Sequence, residues 1–241
     1  MNIHIIQHED FEAPGAYLEW AVSRNHNVTF SKVHLNHSLP ETTAAIDLLL
    51  VMGGPQAPDT TIEECRHFDA KAEIAFIQDA IKNNKAIVGV CLGSQLIGEA
   101  FGGSFKHSPE KEIGVFPIQL TEDGLNDPKI NHFGSELEVG HWHNDMPGLT
   151  AESKILASSK GCPRQIISYS SLIYGFQCHM ELNPEVVELL IAADKDFLLT
   201  NTKHQFVQHP DKIRSFDFSE MNQKLFEFLD KLEAEYRNAA S

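Results

Sequence analysis

The chain has 241 residues, 42% hydrophobic and 22% charged, enough for one sizeable core with a helical extension. Its 34 Asp and Glu against 19 Lys and Arg give a formal net charge of −15, a field that repels phosphate backbones and anionic bilayers and argues against nucleic-acid and membrane partners. There is no apolar run of about 18 residues to span a bilayer; Met1 to Ile6 lacks a basic n-region, and Cys65, Cys91, Cys162 and Cys178 show no disulfide spacing, which together predict a reducing cytoplasm.

Asn2 to Gln7 is apolar and β-branched and reads as a first strand. Pro14 to Arg24 has helical spacing, and Asn27 to Val33 reads as a second strand. Ala44 to Met52 is a continuous apolar run, which suits a strand buried on both faces, and it ends at Gly53-Gly54-Pro55. Glu63 to Asn83 predicts a long helix. Lys85 to Val90 predicts another buried strand, followed by a helix from about Gly93 to Phe101. Strands alternating with helices imply βαβ units, hence a mainly parallel sheet with helices on both faces.

From Gly102 to Leu156 the pattern changes to short β-like pieces, Ile113 to Leu120 and Leu137 to Trp142, followed by Lys154 to Ser158, separated by turn residues. Hairpins appended to the sheet are the economical reading. Gln165 to Tyr169 and Leu172 to Gln177 are two further strands. Asn183-Pro184-Glu185 then opens a helix, and the remainder reads as helical, with Ser219 as a cap. In the last segment Met221, Leu225, Phe228, Leu229, Leu232 and Tyr236 form an apolar stripe that predicts docking on the body.

The chemistry centres on Gly89-Val90-Cys91-Leu92-Gly93-Ser94-Gln95. A strand that stops at Gly-x-Cys-x-Gly and turns into a helix raises one side chain on a strained backbone, as the serine elbow does in α/β hydrolases. The thiol then sits at the positive end of a helix, where a thiolate is favoured. From this motif alone Cys91 is either a nucleophile or an inert buried thiol. A nucleophile needs a base and the base an orienter; His179 and Glu181, two apart at a strand end, share one side and suit those roles. Leu92 N–H and Gly54 N–H are candidate donors to an oxyanion. Cys65 and Cys162 lack a partner base in sequence. His141 and His143 share a strand face, but no third and fourth ligand is spaced for them, so no metal is assigned. The role of the His143-x-Asp145 element is left open. Most of the thirteen histidines, His34 and His37 among them, read as solvated surface.

Gly53-Gly54-Pro55, Gly89-Val90-Cys91-Leu92-Gly93-x-Gln95 and Gly175-Phe176-Gln177-Cys178-His179-Met180-Glu181, in that order, resemble the class I, triad-type glutamine amidotransferases, in particular the stand-alone GMP-synthase-like members. The likeness covers roughly residues 1–185, with 186–241 as a helical extension packed on the same domain. It implies a flavodoxin-like α/β fold. It implies Cys91 as nucleophile, His179 as base, Glu181 as orienter, Gly54 and Leu92 as the oxyanion hole, and Gln95 as a hold on substrate glutamine. Cys178 and Met180 depart from the Phe and Pro usual around the family's histidine. The chain has no pyrophosphatase or P-loop motif, and the segment after Glu181 is too short for a synthetase. The implied activity is glutaminase-type hydrolysis of a γ-glutamyl amide through a Cys91 thioester, without cofactor, and the candidate partner is a dissociable synthetase subunit. Two alternatives stand beside it: a γ-glutamyl peptidase using the same residues on a small peptide, and a non-enzymatic binding or regulatory module.

Overall fold

The computed structural model describes residues 1–200 and 204–239. Its strands and helices follow in the order β1 (Asn2–Gln7), α1 (Gly15–Ser23), β2 (Asn27–Lys32), β3 (Leu48–Val51), α2 (Ala70–Lys82), β4 (Ala86–Val90), α3 (Leu92–Ala100), β5 (Lys106–Leu120), α4 (Glu122–Asn126), β6 (Glu136–Met146), β7 (Lys154–Ser158), β8 (Ile166–Ser170), β9 (Ile173–Phe176), α5 (Pro184–Ala193), α6 (Lys195–Thr200), α7 (Pro210–Arg214) and α8 (Ser219–Ala239). Nine strands form one sheet in the order β2-β1-β3-β4-β9-β8-β7-β5-β6. The first five in that order run parallel, and from β9 onward every pairing is antiparallel. The sheet is therefore mixed, with a parallel half that sets the site and an appended antiparallel half.

The apolar run at β3 is buried on both faces because helices cover both. Leu48 and Leu50 join the core beneath α1, α5 and α8, while Leu49 and Val51 face α2 and α3. On α8 the predicted stripe is buried apart from half-buried Tyr236, with the Phe228 ring 5.1 Å from both Tyr174 and Phe176. Its polar edge is tied down where Trp20 Nε1 donates to Asp230 at 2.8 Å.

Several boundaries differ from the sequence reading. The strand predicted from Ala44 begins only at Leu48, because Thr43 is held by Asp79 and Asp47 accepts from Asn2 N. The helix predicted from Glu63 begins at Ala70: Asp69 caps it through Ala72 N, and Glu64 folds back on Thr61 as a separate turn. The hairpin strands β5 and β6 are longer than predicted and absorb a bulge between His107 and Glu112. The C-terminal portion is not continuously helical. Residues 206–208 run beside β5, with Ile113 N donating to Phe206 O at 2.8 Å and Gln208 N to Ile113 O at 2.9 Å. The part of the helical expectation on residues 201–203 and 240–241 lies outside the described residues. Asn183 does cap α5 through Val186 N, whereas at α8 Asp217, not Ser219, receives the free N–H. Among the described residues no helix is long and apolar enough to cross a membrane.

Candidate active site

Three neighbouring parallel strands deliver the predicted residues to one edge of the sheet. β3 ends at Gly53-Gly54, β4 at Cys91, and β9 leads into His179. The carboxyl edge is where α/β sheets place their sites. Cys91 caps α3 with φ 48° and ψ −108°, a left-handed conformation rare for a residue with a side chain. Its N–H donates to Phe176 O at 2.8 Å, locking the elbow to the next strand. Glycine is required on both sides: a Cβ on Gly93 would strike Val51 O, and one on Gly89 would strike Gly93 O.

His179 and Glu181 are both buried, and Nδ1 bonds Glu181 Oε1 at 2.6 Å. Among the described residues no hydrogen-bond partner satisfies Nε2, the nitrogen left for the Cys91 side. Burial alone would pull the imidazole down, but Glu181 and the Cys91 thiol outweigh it and hold His179 well above the usual histidine range. Burial pushes the Cys91 thiol up, opposed by His179 and by the Leu92 N–H that faces the sulfur. The resting thiol also lies 3.8 Å from Trp142 O. Cys178 and Cys162 are buried, their thiols pushed up by burial, that of Cys162 to about 12.

Gly54, Cys91 and Gln95 line a cleft of about 590 Å³. The Gln95 Nε2 donates to Gln177 Oε1 at 3.2 Å, and its Oε1 has no hydrogen-bond partner among the described residues. All six sequence-predicted residues thus gather at one place. A further pair, missed in sequence, controls the glycine turn. His8, fully buried after β1, bonds Gly53 O through Nδ1 and Glu73 through Nε2, both at 2.9 Å. Burial disfavours its charge, but Glu73 and the Gly53 carbonyl outweigh it and raise its pKa; both partners are acceptor oxygens, a carbonyl and a carboxylate, which suits a donor at each ring nitrogen. β1 and β4 flank β3 on opposite sides. No cis peptide occurs among the described residues, so a Gly53 carbonyl turned toward His8 points the Gly54 N–H away from His8, to the β4 side of the turn.

Glu12, also missed, lines the same cleft at 6% exposure, its pKa raised by burial to about 7. The signal available was the run His8-Glu9-Asp10-Phe11-Glu12 directly after a parallel strand, at the same sheet edge as the other motifs.

Three corrections concern the histidines. A third group does join His141 and His143: Glu112, opposite His143 in the β5–β6 register, brings ligand-type atoms within 4.8 Å of one another. Its carboxylate already accepts from Ser159 Oγ, Gln165 Nε2 and Gly161 N, and His141 Nε2 donates to Phe116 O. The cluster is a hydrogen-bonded strut that fixes His143 at the cleft wall, while Asp145 pairs with His107. Five histidines (His4, His8, His141, His143 and His179) are buried rather than solvated, and the His34 side chain is tucked against Asp10. Cys65 does have a neighbouring imidazole, His67 Nε2 at 3.4 Å, but that nitrogen also faces Glu9 at 3.0 Å.

Residues 16–195 match the family model described as glutamine amidotransferase class-I. The chain belongs to this family. As a class I glutamine amidotransferase it is 50% identical to the glutamine amidotransferase-like protein YfeJ of Salmonella typhimurium, over 96% of this chain and 97% of that one. It is 28% identical to a subunit of the glutamine-hydrolyzing GMP synthase of Pyrococcus abyssi, over 60% of this chain and 74% of that one. The crystal structure of SMU.1228c superposes with a TM-score of 0.95 at 49% identity, covering 97% of this chain and all of that one. A glutamine amidotransferase from Thermotoga maritima shares the fold, with a TM-score of 0.85 at 20% identity over 96% of this chain and 97% of its own.

Proposed function

We propose that this amidotransferase hydrolyses a γ-glutamyl amide, glutamine being the simplest, through a thioester on Cys91. The observation that carries the reading is the buried relay of strained Cys91, His179 with a free Nε2, and Glu181 at 2.6 Å, opening on one cleft. His179 takes the thiol proton, the thiolate attacks the amide carbon, and the oxyanion accepts from Leu92 N–H and Gly54 N–H. His179 returns that proton to the nitrogen as the C–N bond breaks, and ammonia leaves. Water, deprotonated by His179, then releases glutamate. Glu181 holds the imidazole orientation and its charge; His8 holds the Gly53-Gly54 peptide, and Gln95 contacts the glutamyl part. None of these steps needs a cofactor.

Relatives named as subunits of GMP synthase support a consumer of ammonia on a separate synthetase chain. The free thiols of Cys65, Cys91, Cys162 and Cys178 favour the reducing cytoplasm. A γ-glutamyl peptidase remains the second reading, favoured by a cleft within the roughly 300–1,000 Å³ of small-molecule sites and open to more than glutamine. The test is release of glutamate from glutamine and from γ-glutamyl dipeptides by the purified chain without ATP. Turnover that disappears in Cys91→Ala supports the reading; turnover that persists in that variant refutes it. Activity appearing only with an added synthetase identifies a dissociable subunit. A Cys91 that forms no adduct and turns over no γ-glutamyl compound leaves the non-enzymatic reading.

A further inference from the structure

Three carboxyl groups line the cleft. Asp145 is engaged by His107, and Asp194 accepts the Trp142 indole N–H. Glu12 differs: among the described residues nothing hydrogen-bonds its side chain, although it is only 6% exposed. Burying an unpaired carboxylate is costly, and such groups collect where a ligand completes them.

Its position says which part of a substrate it meets. A Cβ added to Gly53 would overlap the Glu12 carboxylate and lie 3.4 Å from Cys91 Cβ, so the carboxyl and the nucleophile flank the same glycine. A few residues on, Ala16 N donates to Glu181 O at 3.0 Å, which ties the Glu12 loop to the His179–Glu181 side. Gln95 comes from α3, which packs on the opposite face of the sheet. From an amide carbon on Cys91 Sγ, the glutamyl chain and the leaving nitrogen depart in different directions. With the chain toward Gln95, the nitrogen faces His179 and Glu12.

We propose that Glu12 forms the leaving-amine subsite, accepting an N–H from the scissile nitrogen and repelling any substrate whose leaving group carries a carboxylate beside that nitrogen. This rests on the Cys91–His179 reading above. The amine departs neutral, carrying the proton that His179 took from the thiol, so Glu12 neither gains nor loses one. The substrates that fit are glutamine and γ-glutamyl amides of neutral or cationic amines, not γ-glutamyl amino acids. Lys111 also lines the cleft, with its Nζ held over the Phe197 ring, 4.8 Å from the ring centre.

Two substrates that differ only in that carboxylate, γ-glutamylglycinamide and γ-glutamylglycine, provide the test. At pH 8, above the value of about 7 to which burial raises Glu12, the wild-type chain is expected to favour the amide by about tenfold in kcat/KM, and Glu12→Gln to reduce the ratio below about threefold by accepting the acid. Where turnover is too slow to measure, the same two compounds compete with a glutamine-mimicking diazo-ketone for Cys91, and protection gives the same ratio. A ratio unchanged by Glu12→Gln, or a wild-type preference for the acid, overturns the subsite and leaves the nucleophile intact. A folded chain whose Cys91 the diazo-ketone cannot acylate overturns the underlying reading instead.

Discussion

His8 bonds two partners from two different ring nitrogens, and this lets its two effects be separated. In His8→Asn the amide nitrogen stands near the place of Nδ1 and still donates to Gly53 O, but Glu73 loses its partner. In His8→Gln the amide reaches the place of Nε2 and keeps Glu73, but Gly53 O loses its donor. A hydrogen bond from a charged donor contributes about 1.5–3 kcal/mol, so releasing the Gly53-Gly54 peptide shifts its orientation by roughly tenfold to a hundredfold. The ceiling is the loss of a whole oxyanion donor, about 10²–10³ in kcat. The expected result for His8→Gln is therefore a fall in kcat of about ten- to a hundredfold with KM within about twofold, because the donor acts on the transition state. His8→Asn is expected to keep most of kcat but lose about 3–5 kcal/mol of stability, since Glu73 is left buried and unpaired. Steady-state glutaminase kinetics beside urea melts of both variants make the comparison. A folded His8→Gln with wild-type kcat, or two variants equally impaired in kcat, refutes the peptide latch.

His179→Ala is expected to remove nearly all turnover, and Glu181→Gln to cost fewer powers of ten, because the amide still orients Nδ1; equal losses in kcat would place a second function on Glu181. Phe228→Ala, on a fully buried ring against Tyr174 and Phe176, is expected to cost about 3–5 kcal/mol in one cooperative urea transition. Separate transitions would show that residues 186–241 are not part of the same folding unit. His4, buried against Thr29 and Ser31, is lowered by burial from 6.5 to about 4. The unfolded chain binds its proton in that window and the native chain does not, so stability falls by about 1.4 kcal/mol per unit as pH drops through it. His4→Gln should show a shallower slope between those limits, and an unchanged slope would mean that His4 is already protonated when folded.

What the sequence discloses here is local. The elbow is readable because Gly89, Cys91 and Gly93 lie within five residues, and their spacing states the close approach to Val51 and the left-handed turn directly. The parallel half follows from apolar runs such as Leu48–Val51, whose alternate residues fill two different cores. Polar pairs across the chain leave no such trace. His8 finds Glu73 over 65 positions, and Glu112 meets Gln165 over 53. No periodicity encodes either, because a polar residue's partner is set by tertiary packing. Glu12 is illegible for the same reason, since its meaning is the absence of a partner among the described residues within a shared cleft. Helix starts shift where a side chain such as Asp69 captures the free N–H groups, a choice that apolar spacing does not register.

The most direct test of the account is the site of covalent capture. The intact chain is treated with a glutamine-mimicking diazo-ketone, digested, and each of its four thiols mapped by mass spectrometry, with glutaminase activity followed in parallel. One adduct is expected, on Cys91, forming in step with loss of activity and slowed by added glutamine, with Cys65, Cys162 and Cys178 unmodified. Equal labelling of all four cysteines, or full activity after Cys91 is modified, would contradict it.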